Sequence, residues 1–422
     1  MGRNAIFLAI GFTALCLLSG LNLSYVSVDA LKNAILYQES TNIHNISQTG
    51  VNFACNQLFQ TPNWRAGYQN VPFGGGTFTV VVNTIVKSSV VNGHTLVDSS
   101  RIQVVTTATY EGATDVIKIL LQPSLFSKFA YFSNNEPSSI VWTTGDTVWG
   151  PYHSNTMLYV DGNPVFNGKT TNFQGLHKAN TKDAPQFNKG YETGIFITMP
   201  AALTIPTLKA QQMVDGVQGG YYSNGGQDLY LNFNANGTVT YRTGTSGAWT
   251  TQPLSTFAGP NQVVVVNNAN IHIKGIVNGQ VTIAATSSST NKGQVWIDSS
   301  VAYNNDPLAV PCTSTDMLGI CATNNIMIAS NKSNNDPAKG VTIQGSLFSS
   351  NGGLAADSAT TKVPSGQIHL LGGVSQQTRQ TVGVVGGGHG YLKSYNYDVR
   401  MMVSAPPAFP TTGAYEILEW LE

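Results

Sequence analysis

Apolar β-branched residues recur two positions apart along much of this chain. Ile271/Ile273 and Val281/Ile283 flank a Gly275-Ile276-Val277-Asn278-Gly279 corner, the period-2 signature of short strands joined by tight turns. The pattern returns as Val295/Ile297, Ile326/Ile328, Val341/Ile343 and Ile368/Leu370, each pair followed by Gly, Ser or Asn. At roughly 15–30 residues per rung, it predicts a β-solenoid with insertions over 124–390 rather than a strict array. Leu158/Val160 and Val165, around the Asp161-Gly162-Asn163-Pro164 turn, mark the expected first rung. From about 204 to 262 the pattern gives way to polar, Gly-rich sequence with hairpin signals in Tyr230–Phe233 and Val239–Tyr241, which predicts an excursion from one face. The Cys312…Cys321 and Asn331–Lys339 segments read as further excursions. At 391–422, Pro406-Pro407, Pro410 and the Tyr415–Trp420 run predict a cap over the exposed edge of the last rung.

The first 61 residues follow another rule. Ala5 to Leu23 carries no charge, and about 20 apolar residues suffice for a membrane-spanning helix. Arg3 precedes the run and no basic residue follows until Lys32; this asymmetry predicts a single pass through the cytoplasmic (inner) membrane, amino terminus inside and the bulk periplasmic or extracellular. A secretory signal peptide cut near Leu17-Leu18-Ser19-Gly20 is the alternative. Tyr25–Gln60 contains no Pro and spaces Leu31, Ile35, Ile43, Ile46, Phe53, Ala54 and Leu58 loosely as a helix that ends before Pro62. Residues 1–61 therefore read as anchor and stalk. Over 62–123, Phe78/Val80/Val82, Ile102/Val104 and Val116, Ile117, Ile119 around Tyr110-Glu111-Gly112 predict a small antiparallel sheet packed on the stalk and ended by Gln122-Pro123.

This layout of greasy helix, stalk, Gly74-Gly75-Gly76 turn and strands resembles the start of PilX-type minor pilins. Residues 1–60 are similar to their amino-terminal segment, and Thr77–Leu121 to the strand pairs that follow. Two features depart from the pattern: only Met1-Gly2 precedes the apolar run, and Phe7 stands where major pilins keep a glutamate that pairs with a neighbouring subunit. Phe126–Thr170, with FSKFAYFSNNE and TTGDTVWGPYHSNTMLYVDGNPVFNGKTT, is similar to a group of uncharacterised bacterial envelope proteins that fuse a pilin-like start to a β-solenoid. IKGIVNGQVTIAA, STDMLGI, SQQTRQTVG, GYLKSYNYDVR and PPAFP…YEILEWLE follow in the same order. The resemblance covers nearly all of the chain and implies a mainly β fold: a long amino-terminal α-helix, a small pilin-like α+β head, then a right-handed parallel β-helix with insertions. It implies pilus or pseudopilus subunits as partners and no defined chemistry.

Composition narrows the function classes. Charged residues make up 10% of the chain, against roughly 25% in ordinary soluble domains. Lys+Arg and Asp+Glu both number 21, which leaves no net field to attract nucleic acid. The seven histidines, His44, His94, His153, His177, His272, His369 and His389, show no metal-ligand spacing, and neither do Cys16, Cys55, Cys312 and Cys321. No metal or cofactor is expected. Cys312 and Cys321 lie close enough in sequence for a disulfide outside the cytoplasm, with two buried thiols as the alternative.

The alternative function is a carbohydrate-active β-helix enzyme, which needs paired carboxylates or an Asp/Arg/Lys cluster in one groove. Its candidates are Asp146, Asp161, Asp306, Asp316 and Arg379, with His153 as a possible base; the acids sit in turn contexts where Asp bonds its own backbone. Gly386–Gly390 lacks the ending of a phosphate loop. No catalytic residue is therefore assigned. The expectation is a membrane-anchored structural or adhesive envelope protein, whose exposed Tyr and Trp on a Ser/Thr/Asn-rich surface suit surface glycans or another protein.

Overall fold

The computed structural model describes residues 2–61, 63–91, 94–200, 203–309, 312–361, 363–384, 388–402 and 404–422, with side chains described outside 86–100. Pro62, Gly386, Gly387 and the His94 side chain, all named above, lie outside that set. The chain divides into two compact units: Met1–Val86 with Ser99–Gln122 and Ala414–Glu422, and Lys87–Asp98 with Pro123–Gly413.

In the first unit one helix runs from Gly2 to Gln60. Every residue from Gly2 to Gln38 is exposed, and the helix is long and apolar enough to cross a bilayer by length and composition. Leu31, Ile35 and Phe53 are exposed too. Farther along, Ile43, Ile46, Ser47, Gly50, Val51, Ala54 and Leu58 are buried. Their three- and four-residue spacing puts them on one helical face.

That face packs on a sheet of five strands, in spatial order Tyr68–Phe73, Gly76–Val91, His94–Tyr110, Ala113–Leu125 and Thr411–Leu421. Phe78, Val80, Ile102, Val104, Ile117 and Ile119 form the facing layer. The Tyr110–Ala113 hairpin closes through Glu111 and Gly112, both at positive φ, the conformation that matches strand twist in a two-residue turn. Gly50 lets helix and sheet meet: a Cβ there would lie 2.5 Å from Thr106 Cγ2 and 2.9 Å from the Phe78 ring.

The second unit is built from parallel ladders. One runs through Tyr221–Ser223, Val263–Asn267, Gln280–Thr286, Met317–Ala322, Val341–Ser349 and Pro364–Thr378. It continues through Tyr131–Asn135, Tyr152–Ser154, Thr170–Asn172 and Tyr191–Glu192. Another stacks Leu229–Phe233, Ile271–Val277, Val295–Tyr303, Ile326–Ile328 and Leu354–Ala356. Its dyads fall in register: Leu229/Leu231 on Ile271/Ile273, Val295/Ile297, Ile326/Ile328 and Leu354/Ala356. All ten residues are buried. At about 25 cal/mol per Å² of apolar surface removed from water, these stacked rows are the main stabilising term of the unit.

Four expectations need correction. Ladder order is not chain order: the strand at 131–135, near the start of the expected 124–390 solenoid, lies beside 364–378, near its end. The 204–262 segment is no mere excursion, because Tyr221–Ser223 and Leu229–Phe233 are ladder members; the Phe233–Val239 hairpin does form. The expected cap is divided, with His389–Asn396 inside a ladder and Thr411–Leu421 joining the five-stranded sheet. Ala113–Leu125 runs through Pro123 instead of stopping at Gln122. In each case pairing partners remote in sequence outweighed the local turn signal.

Candidate functional site

The residues expected to carry chemistry separate by environment. His153 lies on the far side of the long ladder from its apolar core, in the cross-strand row Cys321, Phe348, Ser375, Phe132, His153, Thr171. A second apolar layer containing Phe126, Phe129, Leu203, Ala210 and Phe409 covers this row. The imidazole is fully buried, stacked on Phe132, with Nδ1 2.8 Å from Thr171 Oγ1 and Nε2 2.8 Å from Asn155 Oδ1. Burial lowers its pKa, and the Asn155 contact opposes that in part. A sealed ring with both nitrogens engaged has no route to a substrate proton.

The same layer decides the cysteines. Cys321 is buried in that row and Cys312 is exposed; both are free thiols. The disulfide is absent because the Cys321 side chain belongs to the ladder's sealed outer row, and burial pushes its thiol pKa up.

Asp316 accepts from the Gly279 N–H at 2.7 Å and the Asn305 N–H at 2.9 Å. Asp306 accepts from the Leu308 N–H, and Asp161 from the Asn180 side-chain amide. These three acids fasten turns or neighbouring side chains.

Asp146 and Arg379 do converge. Glu136 follows the Tyr131–Asn135 strand, Arg379 follows Pro364–Thr378, Asp146 precedes Thr147–Trp149, and Lys393 lies within His389–Asn396. Arg379 Nη1 meets Glu136 Oε2 at 2.8 Å, with side chains 4% and 0% exposed. The same guanidinium donates to the Ile140 and Val141 carbonyls and lies 4.3 Å from the Trp142 ring. Tyr131 OH donates to Glu136 Oε1 and accepts from Gln376 Nε2. Lys393 Nζ lies 2.6 Å from Asp146 Oδ2 and 5.2 Å from the Trp142 ring. Burial works most strongly against the Arg379 charge, but Glu136, Tyr131 and Tyr152 together outweigh it and leave the pKa above its ordinary value. For Lys393, burial and the nearby Arg379 charge together lower the pKa against the pull of Asp146.

Four ionisable groups thus meet in one place, as a glycosidase would require. Of the four, Arg379 and Lys393 line a cavity of only about 10 Å³ together with Tyr131, Trp142 and Tyr395, room for roughly one water molecule, and a sugar cannot enter. Glu136 and Lys393 escaped the sequence reading. For Lys393 a signal existed: Tyr391, Lys393, Tyr395 and Tyr397 share one face of the alternation, and the three tyrosines are buried, which puts a lysine in the core.

The accessible polar feature lies elsewhere. Tyr230, His272 and Trp296 stand in register on neighbouring strands with their rings stacked, 4.4 and 6.0 Å between centroids. Asp298 lies 3.0 Å from His272 Nδ1. Arg242 sits between the Tyr230 and Trp249 rings, and Trp249 is 49% exposed. A few residues beyond Trp296 on the same strand, Ser299 and Ser300 open a cleft of about 740 Å³ lined also by Lys332, Ser333, Asp336 and Lys339. Hydroxyls, two ammonium groups and a carboxylate suit a hydroxyl-rich ligand better than an apolar one. Among the described residues no group of three or more His, Cys, Asp or Glu could hold a metal ion.

No protein-family model matches the chain, and no curated protein matches its sequence. Among solved structures, the crystal structure of the competence-associated pilin ComZ from Thermus thermophilus aligns with 91% of this chain and 97% of that one, at 12% identity and a TM-score of 0.34. At that score the alignment fixes neither fold nor function.

Proposed function

We propose that this is a pilin-like envelope protein held in the cytoplasmic membrane by its first helix, presenting the parallel ladders outside as the coils of a right-handed solenoid. The observation that carries this reading is the division of the Gly2–Gln60 helix. Its first 37 described residues are exposed and include a stretch apolar enough to span a bilayer, while its last third packs on the five-stranded sheet. Water strongly disfavours a free apolar helix of that length, and a bilayer or a bundle of like helices satisfies it. Pilus or pseudopilus subunits are the partners that such a bundle implies.

The role is structural or adhesive rather than catalytic. Supporting this, Asp161, Asp306 and Asp316 are engaged at separate turns, and the cluster of Glu136, Arg379, Asp146 and Lys393 has no room for a sugar. Surface glycans are the ligand class that the Ser299–Lys339 cleft suits.

Fractionation with an alkaline wash, combined with amino-terminal sequencing, tests the anchor. Membrane-retained protein that keeps the apolar run, with the second unit cleaved by protease from outside, is expected. A freely soluble form beginning near Gly20 defeats it. Retention on immobilised polysaccharide that is lost in Lys332→Ala/Lys339→Ala tests the ligand class, and equal retention of both forms rejects it.

A further inference from the structure

We propose that Lys393 and Asp146 condense into an intramolecular isopeptide bond that clamps the seam of the second unit. The seam is where Tyr131–Asn135 and Thr147–Trp149 lie beside Pro364–Thr378 and His389–Asn396. These pairs are 247 positions apart at the Lys393–Asp146 contact. Along the rest of the stack the chain passes from strand to strand, but across the seam only hydrogen bonds and side chains hold neighbours together. A covalent link has the greatest effect there.

The two groups are already in reacting position. Lys393 Nζ lies 2.6 Å from Asp146 Oδ2, with side chains 12% and 4% exposed, a contact that keeps the nitrogen beside the carboxyl group it attacks and away from solvent, so little of the entropy of bringing the two together remains to be lost. Asp146 Oδ2 is the lysine's one hydrogen-bond acceptor among the described residues. The surroundings disfavour the ammonium form. Arg379 and Lys393 share the Trp142 ring at 4.3 and 5.2 Å, and the guanidinium, fixed by Glu136, is the cation that stays charged. Buried lysines with like charges nearby become nucleophilic amines.

The step balances without a further reagent. The proton on Lys393 passes to the Asp146 carboxylate across their contact, giving amine and carboxylic acid. The nitrogen lone pair adds to Asp146 Cγ, the Cγ–O bond to the hydroxyl breaks, and that hydroxyl leaves with an amine proton as water. One N–C bond forms, one C–O bond breaks, and nothing is oxidised or reduced. The cavity of about 10 Å³ lined by Lys393, Arg379 and Trp142 is of a size to receive the water released.

Tryptic peptide mapping of the full-length protein, purified in detergent and denatured, tests the bond. Cleavage after Lys128, Lys169, Arg379 and Arg400 should release residues 129–169 joined to 380–400 as one species, one water lighter than the sum, with no cut after Lys393. Lys393→Arg keeps the ion pair but offers no amine, and should release 129–169 and 380–393 separately. Recovery of those separate peptides at their sequence masses from the wild-type protein overturns the proposal, whether or not the variant folds.

Discussion

Tyr131 pairs in parallel with Val374, although most of the second unit lies between them in the chain. The contact places Glu136 and Arg379, just beyond the two strands, opposite each other in a buried site. Neither carboxylate nor guanidinium has water to fall back on. Removing one partner of such a pair costs about 3–5 kcal/mol, whereas replacing both by apolar groups is often near neutral. Arg379→Met should therefore destabilise the second unit by an amount of that order, seen as a lower urea midpoint at unchanged slope, and Glu136→Leu/Arg379→Met should recover at least half of it. A double variant as unstable as the single one would show that the pair's hydrogen bonds to Tyr131, Ile140 and Val141 dominate.

Gly50 faces Thr106 and Phe78 across the helix–sheet contact. Ala at a helical Gly gains about 1 kcal/mol of propensity, but the added methyl collides with Thr106 Cγ2 and the Phe78 ring, an overpacking that costs about 1–3 kcal/mol. The clash should win, so Gly50→Ala lowers the thermal midpoint of the first unit. Adding Thr106→Ser, which removes Cγ2, should raise it again.

The free cysteines give a direct reading of the layer that covers the long ladder. A maleimide should label Cys312 in the native protein and leave Cys321 unlabelled until denaturant is added. Rapid native labelling at Cys321 would mean that the layer around Phe409 opens readily.

His153 makes stability depend on pH with a definite sign. Its folded pKa lies below the unfolded value of about 6.5, so the unfolded chain binds a proton that the folded chain resists. The imidazole exerts no penalty above that unfolded value. Stability falls as pH drops below it and levels off once the folded pKa is passed, with a slope of at most about 1.4 kcal/mol per pH unit. His153→Gln should flatten the slope in that window; an unchanged slope would assign it to other groups.

Much of this was legible before the fold. The apolar run from Ala5 to Leu23 announces its helix by composition, and the Ile271/Ile273 and Val295/Ile297 dyads announce buried strand faces by period. Lys393 was legible in principle as the polar member of a Tyr-Lys-Tyr-Tyr alternation, but a lysine on an inward face is read as a break in the pattern until its acid is known. Glu136 carries no such signal, because it lies just past the end of its strand and is paired in the interior by Arg379 from far along the chain.

Alternation within a strand is a local property, set by the pleat that sends successive side chains to opposite faces. The chain's own order of residues therefore determined which positions are buried, where the long helix lies and that the body is mainly strand. Which strand lies beside which depends on apolar rows matching across hydrogen-bonded neighbours, a matter of shape and register between segments far apart. Only the folded body could decide that Tyr131 meets Val374, that the segment after 204 supplies ladder strands, and that Asp146 and Lys393 end in contact.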